Sequence, residues 1–283
     1  MPRQIREILA SVRETGVRGR NTGAPGKYGR SATLNDGDKN KKRALTCLLL
    51  NKFDHLEVTV NRYDLDIIGI TESWCTPSVP DTELQLINYE LFRHDRDSEN
   101  KGGGVLLYVK SKLKPQETTF TSPFKDQVWC KIADLHIGVC YHSTNYSIVG
   151  PDNNDNLYQL LHEVSKEHFL LMGDFNFPDV NWHNHAMNED ASSDCTDFFD
   201  CVNDCFLYQH VLQPTRNNSI LDLVLTREPQ LVSNVEVMEH LGNSDHNMVT
   251  FSVHHEQEIL DSTKLFRDYC KLQRRLPDKK RVG

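Results

Sequence analysis

The chain has 283 residues and a formal net charge of −8, a length that suits one large domain with tails or two small domains. Hydrophobic residues make up 38% of the chain and charged residues 25%, so a sizeable core can form. No apolar run reaches the roughly 18 residues of a membrane span, and the N-terminus lacks the pattern of a secretory signal. We therefore expect a nuclear or cytoplasmic protein that is not secreted and has no membrane partner.

The charge is distributed unevenly. Residues 1–43 and 256–283 are basic, whereas residues 44–255 carry a net charge of −18. An acidic middle region disfavours a protein that binds nucleic acid through a basic surface alone. It is compatible with a site in which several carboxylates hold a divalent cation.

The N-terminal region differs in composition from the rest of the chain. Residues 14–43 are rich in Gly, Asn, Lys and Arg and cannot bury enough apolar surface to offset the entropy lost on ordering. We predict a disordered basic arm over residues 1–43, with one short helix at 3–13, and expect the arm to be dispensable for folding. Whether it contacts DNA phosphates stays open. The polar residues 256–283 are predicted to be a tail or the start of a linker.

Residues 44–255 are predicted to form one α/β domain. Short apolar runs between turn residues predict strands, and the runs are 44–50, 65–71, 104–109, 128–133, 136–141, 169–174, 221–226, 235–238 and 248–253. Apolar residues at helical spacing predict helices over 52–62, 155–168 and 194–206. Helices and many strands in mixed order favour an α/β sandwich over a purely parallel sheet.

The cysteines and histidines do not form a recognisable metal-binding motif. None of the eight cysteines is spaced as CxxC, and most lie in apolar runs, so we expect buried, reduced thiols. Among the 13 histidines no HExxH motif occurs. The sequence therefore predicts no structural zinc site.

Polar residues stand where several apolar strands end or begin. Glu72 follows one strand, Asp174 ends another and is followed by Asn176, and Asp245 with His246 directly precedes a third. Each could simply cap a turn. Together they form a set of acids and a histidine that is more typical of a site than of a core.

Specific strings extend this pattern. The strings are ITESW at 70–74, GGGVLLYV at 102–109, GDFNFPD at 173–179 and LGNSDHNMV at 241–249. They resemble the endonuclease/exonuclease/phosphatase superfamily, which has the fold of DNase-I-like nucleases and abasic-site endonucleases. The resemblance implies a four-layer sandwich of two mixed β-sheets flanked by helices.

Three further strings narrow the resemblance, and they are ELQLINYELFRHDR at 83–96, FLYQHVLQPTR at 206–216 and LDLVLTREPQLVSNVEV at 221–237. They are similar to the endonuclease domain of chicken-repeat and jockey-like non-LTR retrotransposons. The resemblance covers about residues 45–253. It implies Mg²⁺-dependent hydrolysis of DNA, with Mn²⁺ as an alternative ion and DNA as the partner. The chain contains no Y-x-D-D string, so we expect no reverse transcriptase domain in it.

The resemblance also implies metal ligands. Glu72 is expected to bind Mg²⁺. Asn51 matches either the asparagine that ends the first strand in the family or the one at the other end of the loop that follows. Asp245 is a further candidate ligand. Mg²⁺ prefers oxygen ligands and neutralises charge on phosphoryl oxygens, which suits this set.

The remaining roles concern the reacting phosphate. By resemblance, Asp174 with Asn176 orients and activates the attacking water, and Asp245 pairs with His246. His246 is expected to bind the scissile phosphate and stabilise its developing charge. The resemblance adds two supporting residues, Asp222 in LDLVL and Tyr141 in GVCY.

Two other side chains are expected to contact substrate. Ser244 stands next to the acid–histidine pair in the sequence. Trp182 follows the GDFNFP string and is expected to lie in an exposed loop, where it could stack on a base. Trp129, in contrast, is predicted to be a core residue.

The chain departs from the family pattern at two places near the expected cleft. About six residues of a loop of the form N-A-R-S-L are missing after Asn51, and the family's Y-R-P-P is YHST at 141–144. If Asn51 serves as the N-cap of the next helix, it is lost from the site and activity is weakened. Two alternatives to a DNA endonuclease therefore stay open, which are an inactive retroelement remnant and a phosphodiesterase of the same fold that acts on another substrate.

Overall fold

The computed structural model describes residues 4–11, 47, 49–95, 102–145 and 149–254. The strands in these residues are β1 (Gln4–Ser11), β2 (Ile67–Thr71), β3 (Tyr89–His94), β4 (Val105–Lys110), β5 (Gln116–Thr118), β6 (Gln127–Ile132), β7 (Leu135–Tyr141), β8 (Phe169–Asp174), β9 (Val180–Asn181), β10 (Ala186–Met187), β11 (Tyr208–Gln209), β12 (Asp222–Thr226), β13 (Val232–His240) and β14 (Asn247–His254). The α-helices in them are α1 (Phe53–Tyr63), α2 (Asn153–Val164) and α3 (Ser193–Asp204). Each of these α-helices begins within two residues of its predicted first residue.

Two six-stranded mixed sheets form the centre of the molecule. The first has the order β13-β14-β1-β2-β4-β3, and the second has the order β11-β12-β8-β7-β6-β5. Within the first sheet β1 and β2 run parallel, and within the second β7 and β8 run parallel. The other neighbours within each sheet are antiparallel, and β9 and β10 form a separate small hairpin.

The two sheets pack face to face through alternate side chains. Leu9 of β1, Ile67 of β2 and Met172 of β8 belong to the apolar cluster between the sheets. Gly69 allows close packing here, because a Cβ atom at this position would lie 3.0 Å from the Sδ atom of Met172 and 3.0 Å from Val139. This arrangement confirms the predicted sandwich of two mixed sheets.

Helices cover the outer faces of both sheets. On the first sheet, Leu56 and Val60 of α1 pack with Ile68 of β2 in one apolar cluster. On the second sheet, Leu160 of α2 and Phe198 of α3 belong to another. Strands buried on both faces therefore have continuous apolar sequences, which is why the sequence located them.

The N-terminal prediction is wrong where the structure describes this region. Gln4–Ser11 is a strand and not part of a helix or a disordered arm. It lies between β14 and β2, with Leu9 paired with Val249 on one side and Gly69 on the other. Ile8 and Leu9 are buried. The remainder of the predicted arm, at 12–43, lies outside the described residues, as does the predicted tail at 256–283.

The predicted strand at 44–50 is also corrected. Within it the structure describes Cys47 and then a 3-10 helix, Leu49–Lys52, that leads into α1. β1 occupies the place in the sheet expected for the first strand, between β14 and β2. Asn51 therefore does not end a strand. The N-cap of α1 is Lys52, so Asn51 is not the predicted N-cap either.

The cysteines divide into two groups. Cys47 and Cys75 form a disulfide, so the expectation of reduced thiols is wrong for this pair. The five free cysteines in the described residues are all buried, and they are Cys130, Cys140, Cys195, Cys201 and Cys205. None of the helices in the described part of the chain is long and apolar enough to cross a membrane.

Candidate active site

One edge of the sandwich gathers the polar strand ends of both sheets, and we call this edge the polar rim. In the first sheet the Ser73 backbone N–H, just beyond β2, donates to the Gly104 carbonyl. The Gly104 N–H donates across to the Asp126 carboxylate at 3.2 Å, and the Asp126 carbonyl accepts from the Tyr141 N–H at the end of β7. Tyr141 pairs with Asp174 at the end of β8. The C-terminal ends of β2, β7 and β8 therefore lie together.

The beginnings of β12 and β14 complete the polar rim. Asp222 is the register partner of Asp174. The Thr215 hydroxyl, which is buried, accepts hydrogen bonds from the Leu221 and Asp222 N–H groups at 3.1 Å each. The Thr215 carbonyl accepts from the Asn247 N–H at 2.7 Å. This threonine thus holds the start of β14, and with it His246, next to Asp222.

Three ionisable residues form a buried cluster on the polar rim. The ligand-capable atoms of Asp174, Asp222 and His246 all lie within 4.8 Å of one another, and all three residues are buried. The Nδ1 atom of His246 lies 2.7 Å from Oδ2 of Asp222. Its Nε2 atom lies 4.0 Å from Oδ2 of Asp174 and makes no hydrogen bond to any described residue. One ring nitrogen is thus held by an acid while the other points at the second acid.

The charge of His246 depends on these neighbours. Burial alone would lower the pKa of the imidazole, but the carboxylates of Asp222, Asp174 and Asp245 outweigh it and raise the pKa to about 9. At neutral pH the ring is therefore protonated on both nitrogens. The Nδ1–H then donates to Asp222, and the Nε2–H is available to an anionic group.

The predicted pairing of Asp245 with His246 is wrong. Oδ2 of Asp245 lies 2.6 Å from the guanidinium of Arg216, and Asp222 takes the histidine. The physical reason is that Asp222 lies across the polar rim within hydrogen-bond distance of the His246 ring, whereas the Asp245 carboxylate is paired with Arg216. Asp245 adds negative charge near His246, but its own ion pair is with Arg216.

Glu72 occupies the polar rim on the side of the first sheet. Its backbone is left-handed, with φ 56°, and its side chain is buried. The Trp74 indole N–H and the Gly103 backbone N–H both donate to Oε2 of Glu72, at 2.8 Å each. These two hydrogen bonds fix the orientation of the carboxylate. Gly102, Gly103 and Gly104 all have positive φ, and this turn brings the Gly103 N–H to the carboxylate.

His142 holds the turn that carries Asp174 and Asn176. Its backbone N–H donates to the Asp174 carbonyl at 2.8 Å, and its carbonyl accepts from the Asn176 side-chain amide at 2.9 Å. Its ring Nδ1 lies 2.9 Å from the Phe175 carbonyl oxygen. Burial lowers the pKa of His142, against the effect of its hydrogen bonds, so the neutral ring donates from Nδ1. This one residue fixes three consecutive positions of the GDFN string.

Close packing of β7 against β8 explains why the GDFN string begins with a glycine, Gly173. A Cβ atom at Gly173 would lie 2.1 Å from the backbone carbonyl oxygen of Cys140. Strand pairing fixes this oxygen, because Cys140 and Gly173 are register partners in the parallel ladder. The absence of a side chain therefore allows β7 and β8 to bring Tyr141 and Asp174 side by side.

The other predicted site residues divide into two groups. Tyr141 and Ser244 are buried at the polar rim, and the Ser244 hydroxyl accepts the His246 N–H at 3.2 Å. Trp182 was predicted to be exposed near substrate, but it is buried under α3 against Phe198. Asn51 is exposed on the 3-10 helix before α1.

Sequence reasoning missed Arg216, Thr215, Trp74 and His142. The first two stand in the PTR segment, and Trp74 stands in ITESW, so both strings carried the signal. His142 was noted only as a departure from the family pattern. Its role depends on parallel pairing of β7 with β8, which no local pattern reveals.

The donor set of the polar rim suits a divalent cation of the Mg²⁺ type. Asp174 and Asp222 bring two buried carboxylates together with one histidine, and Glu72 adds a third buried carboxylate on the first-sheet side of the rim. Oδ1 of Asp222 is buried without a hydrogen-bond partner among the described residues. An excess of buried carboxylate oxygens is costly unless cations neutralise them, and oxygen-only ligands favour Mg²⁺ or Mn²⁺ over softer ions. Glu72 and Asp174 are the residues that would hold the ion.

Known structures share this fold at low sequence identity. The endonuclease domain of TRAS1, a telomere-specific non-LTR retrotransposon, is 12% identical with a TM-score of 0.57, covering 89% of this chain and 100% of that one. An AP endonuclease from Archaeoglobus fulgidus is 13% identical with a TM-score of 0.59 and the same coverages. The 3′ phosphatase NExo from Neisseria, bound to a product DNA hairpin, is 14% identical with a TM-score of 0.57, covering 72% of this chain and 95% of that one.

Sequence comparison identifies the family directly. No curated protein matches the chain. The profile of the Endonuclease/Exonuclease/phosphatase family, however, matches residues 47–246. This range includes every residue of the polar rim from Glu72 to His246. Because the match covers more than half of the sequence, the chain belongs to the Endonuclease/Exonuclease/phosphatase family.

Proposed function

We propose that the protein is a Mg²⁺-dependent DNA endonuclease derived from a non-LTR retrotransposon. The observation that carries the proposal is the buried cluster of Asp174, Asp222 and His246 at the polar rim. It combines a carboxylate that can activate water with a protonated histidine that can bind a phosphate. Phosphodiester hydrolysis needs both functions.

In the proposed mechanism the scissile phosphate binds at the polar rim against His246 and Asp174. The His246 Nε2–H donates to a phosphoryl oxygen, and Asp222 fixes the ring from the other side at 2.7 Å. Asn176 helps to orient the attacking water, and Asp174 accepts its proton. The water oxygen bonds to phosphorus as the bond from phosphorus to the leaving sugar oxygen breaks, and the leaving oxygen takes up a proton from solvent. A bound Mg²⁺ would neutralise the charge that builds on the phosphoryl oxygens.

Arg216 adds a cation at the mouth of this site. Its guanidinium is partly exposed and is held by Asp245 at 2.6 Å. A guanidinium has more donors than one carboxylate can use, so Arg216 can also bind a neighbouring DNA phosphate. This supports a polymeric phosphodiester substrate over a free phosphate monoester.

The catalytic cluster is compatible with both nucleic acid and small phosphodiester substrates. Two observations favour DNA. The retrotransposon-like strings at 83–96, 206–216 and 221–237 surround the site in sequence. In addition, the neighbours of the same fold include a retrotransposon endonuclease domain and a phosphatase bound to DNA. A retroelement origin further suggests action in the nucleus.

Incubating the purified full chain with supercoiled plasmid tests the proposal. We expect Mg²⁺ to support conversion to open circles, EDTA to stop it and added Mg²⁺ to restore it, because the carboxylate-rich site needs the ion. The matched control is the same preparation of an Asp174→Asn variant, which reveals contaminating nuclease.

The outcomes separate the alternatives. Nicking that persists in EDTA contradicts the metal mechanism. Hydrolysis of a soluble phosphoinositide with intact plasmid indicates the same fold with another substrate. A folded protein that is inactive on both substrates indicates an inactive retroelement remnant.

The partner of His246 gives a second prediction. We expect Asp222→Asn to lower the nicking rate at least about 10²-fold, because an amide can leave the imidazole in the wrong tautomer. Asp245→Asn removes an equal charge from the same rim but keeps the Asp222–His246 hydrogen bond, and we expect a loss below about 10-fold. Nicking rates of both variants at saturating Mg²⁺ measure the difference. A larger loss in Asp245→Asn than in Asp222→Asn would instead support the pairing of Asp245 with His246 that was predicted from the sequence.

A further inference from the structure

Two helices on the outer face of the second sheet bring together two cysteines and one histidine. Cys201 lies in the last turn of α3 and Cys205 is its C-cap residue with helical backbone, so the two residues, four apart, lie on the same side of the helix. His162 lies in the last turn of α2. We propose that these three side chains form a binding site for one Zn²⁺ ion, unrelated to the catalytic cation.

The distances fit a single ion. The Sγ atoms of Cys201 and Cys205 and a ring nitrogen of His162 all lie within 4.8 Å of one another. The closest pair, Cys205 Sγ and His162 Nδ1, is 3.2 Å apart. Zn–S and Zn–N bonds of about 2.3 and 2.0 Å place ligand atoms of a tetrahedral site roughly 3.5–3.8 Å apart. Small rotations of the side chains therefore suffice to bind the ion.

The chemistry of the three ligands selects a soft or borderline cation. Thiolate sulfur and imidazole nitrogen favour Zn²⁺, whereas Mg²⁺ prefers oxygen. Both cysteines are buried while His162 is exposed, so the ion can enter from the histidine side. Water can fill the fourth position, as in zinc sites with three protein ligands.

The proposed zinc site is far from the polar rim. The chain runs from α2 to the beginning of β8, whereas Asp174 is at the end of that strand. From α3 it runs to β11, whose Tyr208 pairs with Thr226 at the end of β12 opposite to Asp222. The ion would therefore join α2 to α3 and stabilise the outer layer without contributing to catalysis.

The sequence predicted no zinc site, because the ligands are not close together along the chain. Here about forty residues separate His162 from the cysteines. Packing of α2 against α3 brings the three residues together. The CxxxC spacing of Cys201 and Cys205 on a helix is a weaker sequence signal than CxxC in a turn.

Co²⁺ titration of the reduced, metal-free full chain tests the proposal. We expect one equivalent of Co²⁺ to give thiolate-to-metal charge-transfer absorption, which Zn²⁺ abolishes by replacement and excess Mg²⁺ leaves unchanged. Cys205→Ala should abolish the absorption. His162→Gln, an exposed substitution that leaves the fold intact, should weaken binding by more than the roughly 10–100-fold typical of losing a supporting residue.

Cys195→Ala is the matched control, because Cys195 is another buried free cysteine of α3 outside the cluster. It should bind Co²⁺ as the wild type does, and Cys205→Ala should still nick plasmid. No charge-transfer absorption in the wild type would overturn the proposal. Equal absorption in the wild type and Cys205→Ala would overturn it as well.

Discussion

Replacing His246 with glutamine is expected to lower the DNA-nicking rate at least about 10²-fold, the scale of losing a group that stabilises developing charge. The imidazole is buried between Asp222 and Asp174, and glutamine cannot carry the positive charge that these carboxylates stabilise. Initial nicking rates at saturating Mg²⁺ measure the effect.

Two further variants test the same mechanism and control for the chemical change. Asp174→Asn keeps the size of the side chain but cannot accept the proton of the attacking water, so a similar loss is expected. His254→Gln makes the same chemical change on the exposed end of β14 and should leave the rate unchanged. A wild-type rate in His246→Gln would remove this histidine from the mechanism.

Replacing Leu9 with alanine is expected to lower the free energy of unfolding by about 2–5 kcal/mol, the usual range for a buried leucine. Leu9 is fully buried between the two sheets, and its strand joins β14 to β2. Deleting residues 1–11 should have a larger effect and prevent a cooperative transition, because two central strands lose their partner. Urea unfolding followed by circular dichroism measures both.

The control for Leu9→Ala is the same substitution at Leu212, which is 53% exposed. Since an exposed side chain leaves no cavity when it is shortened, a change below about 0.5 kcal/mol is expected. If Leu9→Ala and the deletion both unfold like the wild type, the first sheet does not depend on β1, and the original expectation of a dispensable N-terminus is correct.

The N-terminal strand shows where sequence reasoning fails. Ile5, Ile8 and Leu9 have the spacing of apolar residues on one face of a helix, and the same residues also fit a short strand. The choice is made by tertiary structure, because β14 and β2 offer open edges on both sides. The strands β2, β7, β8 and β12 were predictable because burial on both faces gives each a continuous apolar sequence.

The sequence likewise predicted only part of the candidate active site. Glu72, Asp174 and His246 were found because an acid or a histidine at the end of a buried strand is conspicuous in the sequence. The partner of His246 was assigned wrongly because Asp245 is adjacent in sequence, although Asp222 is adjacent in space. Trp182 was misplaced because the GDFN turn leads beneath α3, and the sequence does not show which loops a helix covers.

The pairing of β1 with β14 has a consequence for the order of events during translation. These two strands are among the first and the last parts of the sheet to leave the ribosome, so their register forms only after more than 240 residues have been synthesised. Such long-range contacts fold slowly, and until β14 arrives one edge of β1 is exposed and can pair with other chains. His246 is delivered on the same strand end. A nascent chain therefore has no complete cluster of Asp174, Asp222 and His246, and the proposed nuclease activity can begin only after His246 has been synthesised.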